Sequence, residues 1–162
     1  MSCKSQQSDY DYSTIRKAMP ACLEFRDFFE VNEPAISELK AFGERHTDET
    51  IIDEDTCKVF SKTVKTLEGN LRHTYGLMAN ATRKTESLEE IAEIWQMMRN
   101  YCAVILKAVQ DLVERFPHCG TPELHNLALD YWLACDERHR EAEGEIACQQ
   151  KAFPKAIFPK TS

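Results

Sequence analysis

LEEIAEIWQMMRNYCAVILKAVQDLVERF, residues 88–116, is the stretch whose reading decides the fold. In alternating steps of three and four it places Leu88, Ile91, Trp95, Met98, Cys102, Ile105, Val109, Leu112 and Phe116 on one stripe. Every position is apolar or a small thiol, and a repeat of this kind returns to one side of an α-helix. Ser87 followed by Glu90 is a capping box that satisfies two orphan backbone donors, so the start is written too. Pro117 ends the helix, because proline disfavours helix at the residue before it and has no N–H to donate. Ile94, Met97, Tyr101, Val104 and Ala108 widen the apolar surface, which marks this helix as the most central element.

Working upstream, a second helix reads Cys57, Phe60, Val64, Leu67, Leu71, Thr74, Met78 and ends between residues 80 and 85. Gly69 and Gly76 are seven apart and share a face. They mark either a close helix approach or weak spots that the fold tolerates. Residues 46–55 form a polar, acidic connection in which Thr47, Asp48 and Thr50 offer caps. Before it, Ile15, Ala18, Cys22, Phe25 and Phe29 form another stripe, and the same step continues past Pro34 to Ile36 and Leu39. A stripe that keeps its phase across Pro20 and Pro34 predicts one Pro-kinked helix, or two roughly coaxial segments, over 14–46.

Downstream, Thr121 is expected to cap and Pro122 to occupy the first position of a fourth helix. That helix carries Leu124, Leu127, Ala128, Tyr131, Cys135, then Arg138, Ala142 and Ile146. Its first half has Leu129, Trp132 and Leu133 on another side, and residues 136–145 are densely charged. Four helices of roughly 30 residues, about 45 Å each, with short connections define an all-α, antiparallel up-down-up-down four-helix bundle. Residues 1–12 read as a disordered arm, 13–150 as the bundle domain and 151–162 as an irregular, extended Phe-Pro-Lys tail.

Composition agrees with a globular chain: 162 residues, 43% hydrophobic, 29% charged, and a net charge of -7 that speaks against nucleic-acid binding. No apolar run reaches the roughly 20 residues a membrane helix needs, and the N-terminus lacks a signal-peptide core. A cytoplasmic location without membrane insertion is the expectation. The seven cysteines include no C-x-x-C pair. Cys22, Cys57, Cys102 and Cys135 fall on the apolar stripes and read as small buried hydrophobes in a reducing compartment.

The chemistry-bearing residues are few. A di-metal bundle site needs Glu-x-x-His, which the chain lacks. His118, Cys119 and His125 carry zinc-ligand chemistry near one turn, although their spacing matches no standard finger. Arg138, with His139 beside it and His73 on the second helix, is a polar-pocket candidate; the competing reading is a snorkelling arginine. No phosphate loop or nucleophile motif is present, so no cofactor is expected and an enzyme is disfavoured. The surplus apolar side chains Leu129, Trp132 and Leu133, together with Phe153 and Phe158 in the tail, are interface candidates. The expected function is a non-enzymatic helical interaction module, an adaptor, chaperone-like or regulatory protein that binds a protein partner or itself as a homo-oligomer. The alternative is a bundle that binds a small ligand or a metal, and that includes an enzyme, with a pocket near Gly69 and Gly76 or zinc at the His118–His125 junction.

Overall fold

A computed structural model describes residues 23–47 and 52–152. Four helices account for nearly all of them: α1 (Leu23–Arg45), α2 (Glu54–Arg83), α3 (Leu88–Arg115) and α4 (Thr121–Ala152). A short 3-10 turn, Pro117–Cys119, lies between α3 and α4. The all-α four-helix bundle expected from the periodicity is the observed fold. Among the described residues no helix is long and apolar enough to cross a membrane.

Helix directions follow from paired residues. Asn70 Nδ2 donates to the buried Asn32 Oδ1 at 2.9 Å, and the Phe42 and Phe60 rings stack at 3.8 Å, so α1 and α2 are antiparallel. Arg99 meets Asp136 at 2.7 Å and Arg138 lies over Trp95, so α3 and α4 are antiparallel as well. The order around the bundle is α1, α2, α4, α3. The longest interface joins α3 to α4, α2 and α3 meet across the middle, and α1 and α4 occupy opposite corners.

The α3 stripe is the core. Met98, Cys102, Ile105 and Val109 are fully buried, and Ile94, Met97, Tyr101 and Ala108 on its second side are buried too. Ser87 accepts from the Glu90 N–H at 3.2 Å, as the capping box requires. The reciprocal half is rerouted: the Ser87 N–H donates to Thr85 Oγ1, whose hydroxyl donates to Glu90 Oε1 at 2.6 Å. Both donors are satisfied, through an intermediate that the spacing alone did not reveal.

Other local expectations are corrected. α1 runs unbroken over Pro34 and buries Ile36 and Leu39 in the anticipated phase; the part of the expected helix before Leu23, with Pro20, lies outside the described residues. The N-cap of α2 is Asp53, which accepts from the Thr56 N–H at 2.7 Å, so the cap falls later than Thr47, Asp48 or Thr50. Thr121 does not cap its own helix. It is buried, and its hydroxyl faces the carbonyls of Phe116 at 3.0 Å and Leu112 at 3.3 Å, so it serves the end of α3. α4 continues through Ala152, two residues into the expected tail, and the remainder of the tail lies outside the described residues.

The close helix approach exists, but at a different glycine. A Cβ at Gly69 or Gly76 would meet nothing within 4 Å, so these two are weak spots on an exposed face. Gly43 is where α1 comes down onto α3: a Cβ there would lie 3.0 Å from Leu112 Cδ2. Beside it, Arg115 Nη2 donates to the Gly43 carbonyl at 3.0 Å and to the His46 carbonyl at 2.6 Å. A cation from α3 therefore closes the C-terminus of α1, where orphan carbonyls and the helix dipole both favour positive charge. The Phe42 ring completes the joint, 5.0 Å from Phe116 and edge-on to it. Gly120 has φ +82, a conformation that costs any L side chain about 1–2 kcal/mol. Gly69→Ala and Gly76→Ala are each expected to raise the unfolding free energy by about 0.5–1 kcal/mol, because only helix propensity changes. Gly120→Ala is expected to lower it by about 1–2 kcal/mol, and urea denaturation followed by circular dichroism reads all three.

Candidate functional site

Three places carry the sequence-derived candidates. The first is the outer flank of α4. Leu129 and Leu133 are one helical turn apart and 37% and 53% exposed, while Trp132 is half-buried against the core. The three are thus one feature with an anchored ring and two free leucines. Phe153 and Phe158 lie outside the described residues. Along the same flank Asp136 is held by two guanidinium groups, Arg99 at 2.7 Å and Arg140 at 2.8 Å. These hydrogen bonds, with Arg99 first, keep the Asp136 carboxyl below its usual range.

The second is a cleft of about 600 Å³ where the end of α2 meets the start of α3 and the later turns of α4. Its lining includes Thr82, Leu88, Trp95, Arg138, Glu141 and Glu145. The Arg138 guanidinium sits 5.3 Å from the centre of the Trp95 ring, so the snorkelling arginine lies on an aromatic face. Trp95 is 3% exposed, which leaves the cleft little aromatic floor. Behind it Tyr75 is 5.8 Å from Trp95 and stacks on Tyr131 at 4.1 Å with planes 2° apart. Burial pushes the hydroxyls of both tyrosines up in pKa. His73 is exposed and does not line this cleft, so the structure does not bring it to Arg138. His139 lies instead 3.5 Å from Glu143. Neither Gly69 nor Gly76 lines the cleft, so the expected pocket near those glycines is not where this opening forms.

The third is the α3–α4 junction. His118 is exposed, Cys119 is buried and His125 is half-buried. Consecutive residues of a tight turn face different ways, and here the imidazole of His118 and the thiol of Cys119 part company. Among the described residues no group of three or more His, Cys, Asp and Glu side chains could hold a metal ion. Cys119 is instead paired with a residue that spacing could not supply: its Sγ is 3.0 Å from the Cys57 Sγ on the first turn of α2. A cleft of about 580 Å³ beside the pair is lined by Ser61, Lys65, Glu68, His118 and Glu123. Of the other thiols, Cys102 and Cys135 are fully buried, as expected for small hydrophobes, and Cys22 lies outside the described residues. Burial raises the Cys102 thiol well above its ordinary value and pushes Cys135 up to about 12, which makes both poor nucleophiles.

The Asp136 pairing has a definite pH signature. Its native pKa is depressed, so its contribution to stability is full above the unfolded carboxyl value of about 3.9 and is lost as pH falls through the lower native value. The gap in urea midpoint between wild type and Asp136→Asn is expected to be constant from pH 7 to about 5 and to shrink below about 4. A gap that stays constant down to about pH 2.5 contradicts this assignment.

No family model matches the chain, and neither a curated protein nor a solved structure matches it.

Proposed function

We propose that this chain is a non-enzymatic helical interaction module, an adaptor, chaperone-like or regulatory protein of the cytoplasm, that self-associates through the outer flank of α4. The observation that supports the reading is the pair Leu129 and Leu133, left exposed one turn apart on the helix that packs most extensively against α3. Two copies related by a two-fold axis can set Leu129 of one against Leu133 of the other, and such an isologous patch is self-complementary. Trp132 adds a fixed aromatic anchor beside them. A chain of net charge -7 repels its own copy, but Asp136 at the edge of this patch is neutralised by Arg99 and Arg140.

The leucines also set the strength. Covering a half-exposed leucine is worth about 1 kcal/mol, so the four of a dimer supply on the order of 4 kcal/mol before Trp132 is counted. Set against the cost of association, that allows only a weak, reversible, concentration-dependent dimer and not a permanent one. The competing small-ligand reading rests on the cleft at Trp95, where Arg138 is already engaged with the ring and two carboxylates line the opening.

Sedimentation velocity between about 10 and 500 µM tests the proposal. The weight-average mass of wild type is expected to rise with concentration, and that of Leu129→Asp/Leu133→Asp to stay monomeric. A wild type that remains monomeric at the upper limit removes self-association, and a double variant that still dimerises removes this face.

A further inference from the structure

The junction between the first turn of α2 and the α3–α4 turn holds two thiols whose separation in sequence hides their adjacency. Cys57 and Cys119 are 62 positions apart, and their sulfur atoms lie 3.0 Å from one another. A disulfide bond is about 2 Å long, so side-chain rotation with a small backbone shift brings the pair to bonding distance. Cys102 and Cys135, by contrast, lie inside the core, where no reagent reaches them. Cys57 is only half-buried, and the cleft at Lys65 and His118 opens beside Cys119.

We infer that Cys57 and Cys119 form a reversible dithiol–disulfide pair, oxidised by a low-molecular-weight disulfide of the glutathione class, that staples α2 to the α3–α4 turn. The more accessible Cys57 reacts first. Its thiol releases a proton to solvent, and the thiolate attacks one sulfur of the reagent's disulfide, forming a mixed disulfide and expelling one reagent thiolate. Ser61 Oγ, 4.0 Å from the Cys57 sulfur, is placed to steady that charge. Cys119 then releases its proton and attacks the Cys57 sulfur, expelling the second thiolate. Two electrons pass from the protein to the reagent, and both expelled thiolates take up protons.

Burial, the largest cause of the raised pKa of Cys119, persists once Cys57 is in the mixed disulfide, so the Cys119 step is the slow one at neutral pH and speeds up as the solution is made alkaline. Closing a loop of this length restricts the unfolded chain, so the oxidised protein is expected to melt about 10 °C above the reduced one.

The test uses the full chain, incubated under native conditions in mixtures of reduced and oxidised glutathione, quenched with iodoacetamide and mapped by peptide mass spectrometry. The expected result is a product in which the Cys57 and Cys119 peptides are joined within one chain, with no covalent dimer, lighter by two hydrogens, reopened by dithiothreitol and raised in melting temperature. Cys57→Ser and Cys119→Ala are each expected to abolish the joined peptides and the melting shift, with the helical circular dichroism signal retained. Recovery of Cys57 and Cys119 as separate alkyl or glutathione adducts in the folded wild type overturns the inference. So does a joined product that forms only in urea. Should Cys119→Ala fail to fold, Cys57→Ser, at a half-buried position, carries the comparison alone.

Discussion

The apolar surface of α3 is too broad for one neighbour to cover. A helix with one apolar stripe needs a single partner, but α3 buries Met98 and Ile105 on one side and Ile94, Met97 and Tyr101 on another. Water can be kept from all of it only if α1, α2 and α4 each take a share. This explains why α3 meets every other helix and why the bundle order departs from the chain order. It also explains where polarity is tolerated. Asn32 is buried and accepts from the half-buried Asn70, a polar contact between α1 and α2.

Two joints then hold the helices in register. At one end, Arg115 closes the carbonyl end of α1 while Phe42, Phe60 and Phe116 pack beneath it. Near that end, Gly120 turns the chain in a left-handed conformation and Thr121 hydrogen-bonds back to α3. Toward the other end, Tyr131, Tyr75, Trp95 and Arg138 form a continuous ladder from α4 through α2 and α3 back to α4. Both joints are built from flat groups, stacked as in Phe42–Phe60 and Tyr75–Tyr131 or edge-on and tilted as in Phe42–Phe116 and Tyr75–Trp95, and such contacts fix orientation as well as distance.

What could be read from the chain was whatever repeats. The stripe of α3, its cap at Ser87 and its stop at Pro117 are local signals, each repeated or reinforced within a few residues, and the helices follow from them. Singular contacts were not legible. A lone Gly43 carries no period, so its approach to Leu112 had no signature, whereas the conspicuous spacing of Gly69 and Gly76 pointed to a contact that is not made. Thr121 looked like a cap because Thr-Pro opens helices, yet its hydroxyl is closer to the carbonyls of the preceding helix. Cys57 and Cys119 meet only because the topology sets the α3–α4 turn beside the start of α2. The exposed pair on α4 was the exception, since a second apolar side on a helix already supplied with one is visible in the spacing of Leu129 and Leu133.

Because α1 and α4 stand at opposite corners, the two outermost helices do not pack closely on one another. Mechanical coupling between their outer faces passes mainly through α2 and α3. The most extensive packing in the bundle joins α3 to α4, and α1 sits on its two neighbours through smaller contacts. A displacement imposed on α1 therefore reaches α4 by way of the smaller α1–α2 and α1–α3 contacts and then the extensive α3–α4 seam. With the smallest share of the helix–helix contacts, α1 is the helix whose displacement disturbs the rest of the bundle least.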